Sequence, residues 1–351
     1  MSEPTGRPAT IRTVAEQAGV SKSLVSLVLR GSPHVSPAKR HAVQRAIDEL
    51  GYRPNAIARQ LTTQRTQTIG LLLNDLRNPW FVECLEGITT VLDEHGYRCM
   101  LADARVDRRA DEALLRGFLE MRVDGLVLVG SMPSTPSITA AAAAVPTVAA
   151  AGRDIALPRV DVIANDDRVG TTLAVEHLIE LGHHRIAHLA GGHEAVARLR
   201  RDAYLDVMTA HGLADQIVVE PGDATEDGGY RAAVRLLARP DRPTAVFAVN
   251  DISCIGAMSA AVELGLRVPH DVSMVGYDNT SLAQVRHLWL TSVDNANIEV
   301  GRRAARALLR RISDPARPAD EQLLRPTLRV RGSTARHDPI KAAGVPAARH
   351  V

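Results

Sequence analysis

The N-terminal fold is set by the stretch TIRTVAEQAGVS, residues 10–21. Thr10 can cap a first helix, Gly19 can end it, and Ser21 can cap a second helix that follows at once. Only Gly19 and Val20 separate the two predicted helices. This spacing predicts the tight turn of a helix-turn-helix.

A third helix is predicted between Ser36 and Gly51, because Ser followed by Pro37 is a favoured helix start and glycine a favoured end. The apolar residues of all three helices recur at helical spacing and can enclose a small core. These residues are Ile11, Val14, Ala15 and Ala18, then Leu24, Val25, Val28 and Leu29, then Ala42, Val43, Ala46, Ile47 and Leu50. The start of the second helix is then free to enter a DNA major groove.

Positive charge is concentrated at the N-terminus. Residues 1–65 contain ten Lys and Arg against four Asp and Glu, a net charge of +6. The whole chain has a net charge of +2, so residues 66–351 have a net charge of −4. A basic head on a mildly acidic body predicts a polyanionic partner for the head. A solvated basic face would show the same charge and is the alternative.

The sequence gives no sign of export, membrane insertion or catalysis. The first residues lack an apolar signal core, and no stretch approaches the roughly 20 apolar residues of a membrane span, so we expect a cytoplasmic protein. Phosphate-loop, dinucleotide-binding, nucleophile-elbow and zinc-protease motifs are absent from the sequence, so we expect neither an enzyme nor a cofactor. Cysteines and clustered histidines show no metal-site spacing, and we interpret them as reduced thiols and strand-end polar residues. They are Cys84, Cys99 and Cys254, and His183, His184, His188 and His193.

From residue 68 onward, short apolar runs alternate with helical patterns, which is typical of parallel sheets with crossover helices. The predicted strands are 69–73, 125–129, 147–150, 185–189, 245–249 and 272–277. The predicted helices are 81–95, 109–121, 170–181, 199–211, 228–237 and 252–264. Because the alternation runs through two sets of strands, we predict two α/β lobes that divide near residue 165. A ligand is expected in the cleft between them, at the C-terminal ends of the strands.

The sequence resembles the lac/galactose repressor family of bacterial transcriptional regulators over residues 10–334. In the head the resemblance rests on residues 10–21, on Val25-Ser26 and on GYRPN at 51–55. In the body it rests on VEHL at 175–178, LGHHRIA at 181–187, ND at 250–251, GLRVP at 265–269, VGYD at 275–278 and RVRGST at 329–334.

The resemblance implies a small all-α helix-turn-helix domain at 8–53, a hinge helix or linker at 54–66, and an effector-binding and dimerisation domain at 67–334. The last has the two-lobed, periplasmic-binding-protein-like α/β fold, with parallel sheets, Rossmann-like lobes and three chain crossings. Lobe 1 is expected at about 67–165 plus 295–334, and lobe 2 at about 166–294. Residues 335–351 contain no leucine heptad, so we predict a disordered tail and a dimer rather than a tetramer.

For the head, the resemblance implies that Lys22 and Ser23 begin the recognition helix and face base edges. Lys can donate to guanine, and Ser can pair with several bases. Leu24 and Leu27 replace a Thr and a guanine-reading Arg of the family, and Leu27 would either touch a thymine methyl or face the core. The residues implied to contact DNA are Thr10, Ser21, Lys22, Ser23, Ser26, Leu27, Arg30, Tyr52, Asn55, Ala58 and Leu61.

Residues 55–62, NAIARQLT, resemble the hinge helix of the family. A segment this short is unstable as an isolated helix and would fold on DNA. Small Ala56 and Ala58 would let two such helices approach in a dimer, and Leu61 would be the wedge that enters a central minor-groove step. The alternative is an ordinary linker with a core-facing leucine.

Three residues match effector positions of the family and follow or flank predicted strand ends. Arg200 offers a planar fork of donors, Asn250 can donate and accept, and Asp278 can accept from two hydroxyls. A surface charge is the alternative for Arg200, and a turn residue for Asp278. Weaker candidates are Asn74, Asp75, Asp166 and Trp80, of which Trp80 would stack on a sugar ring or lie in a core or lobe interface.

Three departures imply a ligand different from those of the best-known relatives. Ala151 stands where sugar-binding relatives have Asp, and Ala224 stands where a pocket aromatic is expected. SVDN at 292–295 replaces the usual TVRQ of the late crossover.

The function expected is therefore that of a sequence-specific transcriptional regulator, a repressor by resemblance. It would bind a palindromic operator as a homodimer, controlled by a sugar-like effector in the cleft. One alternative is an exported solute-binding protein of a transport system, which would share the body but not the basic head. Another is a regulator that answers to a purine or a protein corepressor.

Overall fold

The computed structural model describes residues 9–29, 31–52, 65–103, 110–132, 134–153 and 157–338. The chain divides into two compact units, residues 1–66 and 67–351. Within the ranges described, no helix is both long enough and apolar enough to cross a membrane.

The first unit contains the three predicted helices, α1 (Ile11–Gln17), α2 (Lys22–Leu29) and α3 (Pro37–Leu50). The Thr10 hydroxyl caps α1, and Gly51 ends α3 in the left-handed conformation that glycine adopts at low cost. Ser36 precedes α3 as predicted, but its hydroxyl makes no capping hydrogen bond. The fully buried Val14, Val25 and Val43, one from each helix, form the centre of a small core.

The second unit begins with a parallel six-stranded sheet, which forms the first lobe. Its strands are β1 (Thr68–Leu73), β2 (Arg98–Asp103), β3 (Gly125–Val129), β4 (Thr147–Ala150), β5 (Asp161–Asn165) and β11 (Glu321–Leu324). Their order is β11-β5-β4-β3-β1-β2, and each neighbouring pair is parallel. The central strands β3 and β4 are buried throughout, as continuous apolar runs covered on both faces should be.

The second lobe is built on another six-stranded sheet. Its strands are β6 (Ile186–Leu189), β7 (Val218–Glu220), β8 (Ala245–Ala248), β9 (Ser273–Tyr277), β10 (Thr291–Asp294) and β12 (Thr327–Arg329). Their order is β12-β10-β9-β8-β6-β7, and only the β10–β12 pair in this sheet is antiparallel.

Helices cover both faces of the two sheets, and apolar clusters lie beneath them. In the first lobe the helices are α4 (Pro79–Glu94), α5 (Ala110–Glu120), α6 (Pro136–Ala144) and α11 (Asn297–Ser313). In the second lobe they are α7 (Asp167–Glu180), α8 (Ala195–Ala210), α9 (Glu226–Leu237) and α10 (Asp251–Glu263). The predicted fold class, a helix-turn-helix head and a two-lobed α/β body, is confirmed.

The end of the chain corrects one predicted boundary. Residues 295–334 were expected to lie wholly in the first lobe, but the chain crosses again after β11, and β12 joins the second sheet by pairing Arg329 with Ser292. This is the third crossing, after those that follow β5 and β10.

Past the predicted end at residue 334, the backbone continues to bond the second lobe. Ala335 N donates to Ser273 Oγ at 3.0 Å, and His337 N donates to Leu181 O at 2.8 Å. The tail prediction for residues 339–351 lies outside the described residues.

Candidate functional sites

The exposed start of α2 is the candidate nucleic-acid surface of the head. Lys22 and Ser23 are exposed there, whereas Val25 and Val28 of the same helix are buried in the core. Leu27 is 37% exposed, so the core-facing alternative for this residue is wrong. Leu24 is half-buried and packs against the core. Leu27 therefore places an apolar group on the exposed surface of α2, one turn after Ser23.

The other predicted head residues fall into two groups. Thr10 Oγ1 accepts a hydrogen bond from Thr13 N at 3.3 Å, and Ser21 Oγ accepts one from Leu24 N at 3.2 Å, so both hydroxyls cap helices. Ser26 and Tyr52 are half-buried, and Tyr52 packs against the head core. Predictions for Arg30, Asn55, Ala58 and Leu61, and for the hinge helix, lie outside the described residues.

In the body, Arg200 is the centre of a buried polar network. It lies in the second turn of α8 and is only 6% exposed, so the surface-charge alternative is wrong. Its Nε donates to Asp167 Oδ1 at 3.1 Å, its Nη1 to Val249 O at 2.5 Å and its Nη2 to Asp278 Oδ1 at 3.4 Å. The guanidinium carbon lies 3.5 Å from the centre of the Tyr277 ring.

Charges around Arg200 shift its pKa in opposite directions. Burial lowers the pKa of the guanidinium, but the carboxylates of Asp167 and Asp278 outweigh burial, so the net shift is upward. Asp167 also binds a second cation, because its Oδ2 accepts from Arg153 Nη2 at 2.7 Å. Both arginines are thus neutralised within the protein.

Asp278 follows β9 and lies at the end of the network nearest the lobe crossing. Its φ of 100° is unusual for a residue other than glycine. Asn295 Nδ2 donates to its Oδ1 at 3.1 Å, and Asn297 Nδ2 donates to its backbone carbonyl at 2.9 Å. Burial raises the pKa of Asp278 to about 6, although Arg200 opposes the rise.

Asp251 organises the backbone after Asp278. Its Oδ2 accepts from the backbone N and the hydroxyl of Thr280 at 2.8 and 3.0 Å, and its Oδ1 accepts from Ser292 Oγ at 2.5 Å. Burial, followed by the charge of Asp278, raises the pKa of Asp251 to about 7. Asp251 therefore fixes the loop between β9 and β10.

Several buried polar atoms have no hydrogen-bond partner among the described residues. They include Trp80 Nε1, Ser131 Oγ, Asn295 Oδ1 and Asn297 Oδ1. Asn295 and Asn297 flank the second lobe crossing and already bind Asp278 through their amide nitrogens. Unsatisfied buried polar atoms are rare in folded proteins, so their presence next to Asp278 favours a site that binds a polar molecule.

Two segments of the chain match known family models. Residues 10–55 match the lacI family of bacterial regulatory proteins, and residues 175–334 match the periplasmic binding protein-like domain. The chain is 36% identical over 329 residues to the ribose operon repressor of Escherichia coli strain K12, covering 93% of this chain and 99% of that repressor. The chain belongs to the LacI family.

Solved structures of LacI-family proteins share the fold. The lac repressor dimer bound to operator and the anti-inducer ONPF is 30% identical, with a TM-score of 0.83 over 94% of this chain and 100% of that one. The complex of the transcriptional regulator CelR with cellobiose is 34% identical, with a TM-score of 0.69 over 93% of this chain and 99% of that one.

Of the predicted effector residues of this LacI-family body, Arg200 and Asp278 bind each other directly. Asn250 caps α10: its Oδ1 accepts from Ser253 N at 2.9 Å, and its Nδ2 donates to Ala224 O at 3.0 Å. Asp166 caps α7 by accepting from Val169 N at 3.1 Å.

The three candidates in the first lobe follow β1. Asn74 Nδ2 donates to Ser131 O at 2.7 Å, and Asp75 forms a salt bridge with Arg77. Trp80 is buried in the core of the first lobe, with its ring edge-to-face against Phe81 at 5.0 Å. In this structure Trp80 therefore occupies the core position, which was the alternative to sugar stacking.

Sequence reasoning missed Asp167, Arg153, Asn295 and Asn297. The sequence did not single out Asp167, because it follows Asp166 and an acidic pair at the start of a helix is a normal capping pattern. Asn295 is the last residue of SVDN at 292–295, the segment that differs from the usual TVRQ of the family. This difference was the sequence signal that pointed to Asn295. The other partners are distant in sequence, so no local pattern could indicate them.

Of the clustered histidines, His183 and His188 are buried in the second lobe, whereas His184 and His193 are exposed. His183 is within hydrogen-bond distance of Thr244 Oγ1, Ser273 Oγ and Ala335 O, and burial lowers its pKa to about 4. His188 stacks on Phe247 inside the core. Among the residues described, no group of three or more His, Cys, Asp or Glu side chains could hold a metal ion.

Proposed function

We propose that this LacI-family protein is a sequence-specific transcriptional repressor that binds a near-palindromic operator as a homodimer. The exposed Lys22 and Ser23 at the start of α2, on a head of net charge +6, support a DNA-reading role. A two-fold symmetric dimer would present two heads to two half-sites. The similar lac repressor structure is that of a dimer bound to operator. Such a protein works in the cytoplasm and has no catalytic step.

The effector, in this proposal, is a neutral polyhydroxylated molecule. The observation that supports it best is the Arg200–Asp278 pair, whose 3.4 Å separation is at the long limit of a hydrogen bond. A sugar hydroxyl could accept from Arg200 Nη2 and donate to Asp278, replacing one long bond by two shorter ones. An anionic ligand is disfavoured, because it would be repelled by the carboxylates of Asp278 and Asp167. These carboxylates already neutralise Arg200 and Arg153, so neither arginine has a free positive charge left to bind it. The names of two similar proteins, the ribose operon repressor and the CelR–cellobiose complex, each mention a neutral sugar, which agrees with this chemistry.

Effector binding would alter DNA affinity through the relative position of the lobes. The Arg200 network lies where the chain crosses between lobes, so a ligand there can favour one lobe arrangement over another. By linkage, the effector and the operator must change each other's affinity by the same factor.

The test of the effector site is a thermal-shift screen of the purified protein with D-ribose, cellobiose, nucleosides and small acids. A ligand at about 100 times its dissociation constant adds roughly 2.7 kcal/mol to the stability of the state that binds it. We expect a hit among the neutral sugars. The hit should be lost in Arg200→Ala and in the isosteric Asp278→Asn, but kept in Arg201→Ala, whose side chain is about 42% exposed and pairs with Asp202.

Asp278→Asn keeps the test valid if Arg200→Ala fails to fold, because Asp278→Asn removes one charge without changing the side-chain volume. A normal sugar response in a folded Asp278→Asn protein would contradict the site. Hits confined to nucleosides or acids would replace the sugar by a purine or an anionic effector.

A further inference from the structure

Glu83 joins the two lobes directly. It lies on α4 of the first lobe and is half-buried. Its Oε1 accepts from Ser281 N of the second lobe at 2.7 Å, and its Oε2 accepts from Asn297 Nδ2 at 2.8 Å. It forms no salt bridge with any residue in the described part of the chain, so these two donors are its partners.

Asn297 extends this contact to the proposed effector residue. The same Nδ2 that donates to Glu83 also donates to the Asp278 carbonyl at 2.9 Å. Ser281 and Asp278 lie three residues apart in one loop of the second lobe. Ser281 is bonded to the side chain of Glu83 on α4, and Asp278 to the side chain of Asn297 on α11. The loop is therefore fixed at two points against the first lobe.

The two helices that supply these side chains meet at backbone distance. A Cβ on Gly87 would lie 2.0 Å from Ile298 O, and a Cβ on Gly301 would lie 2.0 Å from Cys84 O. At these two positions the backbones touch without an intervening side chain, and the apolar side chains around them share one buried cluster, so α4 and α11 are close-packed and must shift together. A displacement of Asp278 would therefore be passed to a helix pair rather than to a single side chain.

We propose that Glu83, Asn297 and Ser281 form an inter-lobe clasp that positions the Asp278 loop and transmits its movement to the α4–α11 pair. A half-buried carboxylate without a cation is costly to retain for packing alone. The negative charge of Glu83 instead strengthens the hydrogen bond that its carboxylate accepts from the backbone N–H of Ser281 in the other lobe. Glu83 and Asn297 are thus positioning residues, and their part in the effector response rests on the proposed function.

The clasp is tested first without any ligand, by hydrogen exchange of the full-length protein at the Ser281 amide. Loss of a hydrogen bond to a charged group should speed exchange about tenfold or more in Glu83→Ala. Glu86→Ala is the matched control, since Glu86 is exposed one turn along the same helix, and it should exchange as the wild type does. Unchanged exchange in Glu83→Ala, or equal acceleration in both variants, would overturn the clasp.

A charge swap separates the clasp from simple loss of folding. Asn297→Asp places two carboxylates face to face and should speed Ser281 exchange. Adding Glu83→Gln to that variant restores a donor–acceptor pair between positions 83 and 297, while the bond to the Asp278 carbonyl stays lost, so the rate should return part of the way to that of the wild type. Failure of the second substitution to slow exchange would contradict the assigned pairing.

The effector role of the clasp is read from operator affinity with and without D-ribose or cellobiose. A wild-type coupling factor, typically about 5 to 150, should fall toward one in Glu83→Ala and remain in Glu86→Ala. An unchanged factor in Glu83→Ala would overturn transmission through the clasp while leaving the proposed function intact. If neither sugar alters wild-type DNA affinity, the proposed sugar response fails, and the exchange measurements still decide the positioning role.

Discussion

Replacing His188 by phenylalanine should change the pH dependence of stability by a predictable amount. His188 lies on β6, its ring stacks 5.0 Å from that of Phe247, and its Nδ1 is 3.0 Å from Phe247 O. Burial, opposed only in part by this hydrogen bond, lowers the pKa of His188 from 6.5 to about 4. Phenylalanine has a similar shape and does not titrate.

The sign of the effect follows from the two pKa values. In the unfolded chain His188 takes up a proton below about pH 6.5, whereas in the folded chain it stays neutral down to about pH 4. Acid therefore favours the unfolded wild type, and the stability present above pH 6.5 is lost as the pH falls. From these values, the cost of His188 is about 2 kcal/mol at pH 5 and close to zero at pH 7.5.

The assay is urea unfolding of wild type and His188→Phe at about pH 5 and about pH 7.5. The variant should gain about 2 kcal/mol relative to wild type on going to the lower pH, whatever the fixed cost of the lost hydrogen bond. Tyr204→Phe is the control in the same core, because the pKa of Tyr204 is raised to about 12 and does not enter this pH range. Equal effects of His188→Phe at both pH values would refute the reasoning.

Three further predictions concern the effector site, the hinge and the helix pair. Because ionised Asp278 is the hydroxyl acceptor and its pKa is about 6, sugar affinity should fall about tenfold from pH 7.5 to pH 5, as measured by calorimetry; constant affinity would contradict this role. Leu61→Ala should weaken operator binding in fluorescence anisotropy and leave sugar binding intact, and unchanged DNA affinity would remove the proposed wedge. Gly301→Ala should lower stability by about 1–3 kcal/mol in thermal unfolding, because its Cβ would meet Cys84 O at 2.0 Å; Gly117→Ala, whose Cβ would lie 3.9 Å from the nearest atom, should cause no comparable loss.

The fold was predictable where local chemistry determines structure. Thr10, Ser21 and Gly51 mark helix ends through the backbone groups that their side chains or conformations satisfy. Buried central strands such as β3 and β8 appear as continuous apolar runs. Edge strands did not give this signal: β2 and β11 contain polar, partly exposed residues, so their sequences do not differ from those of loops.

The site was predictable only in part, because its bonds join distant residues. Arg200 and Asp278 were found through the family resemblance and are 78 positions apart in the chain. Glu83 and Asn297 are 214 positions apart, and nothing local in either segment indicates that they meet. The placement of β12 in the second sheet was missed for the same reason, since its partner β10 precedes the whole of α11.

The most direct test of the central claim is selection of DNA duplexes from a random library by the full-length protein. A dimeric regulator with two identical reading heads should enrich a near-palindromic sequence with two half-sites in opposite orientation. Substitution of Lys22 should relax the base preference at one position of each half-site. Recovery of no enriched sequence, or of an asymmetric single site, would contradict the account.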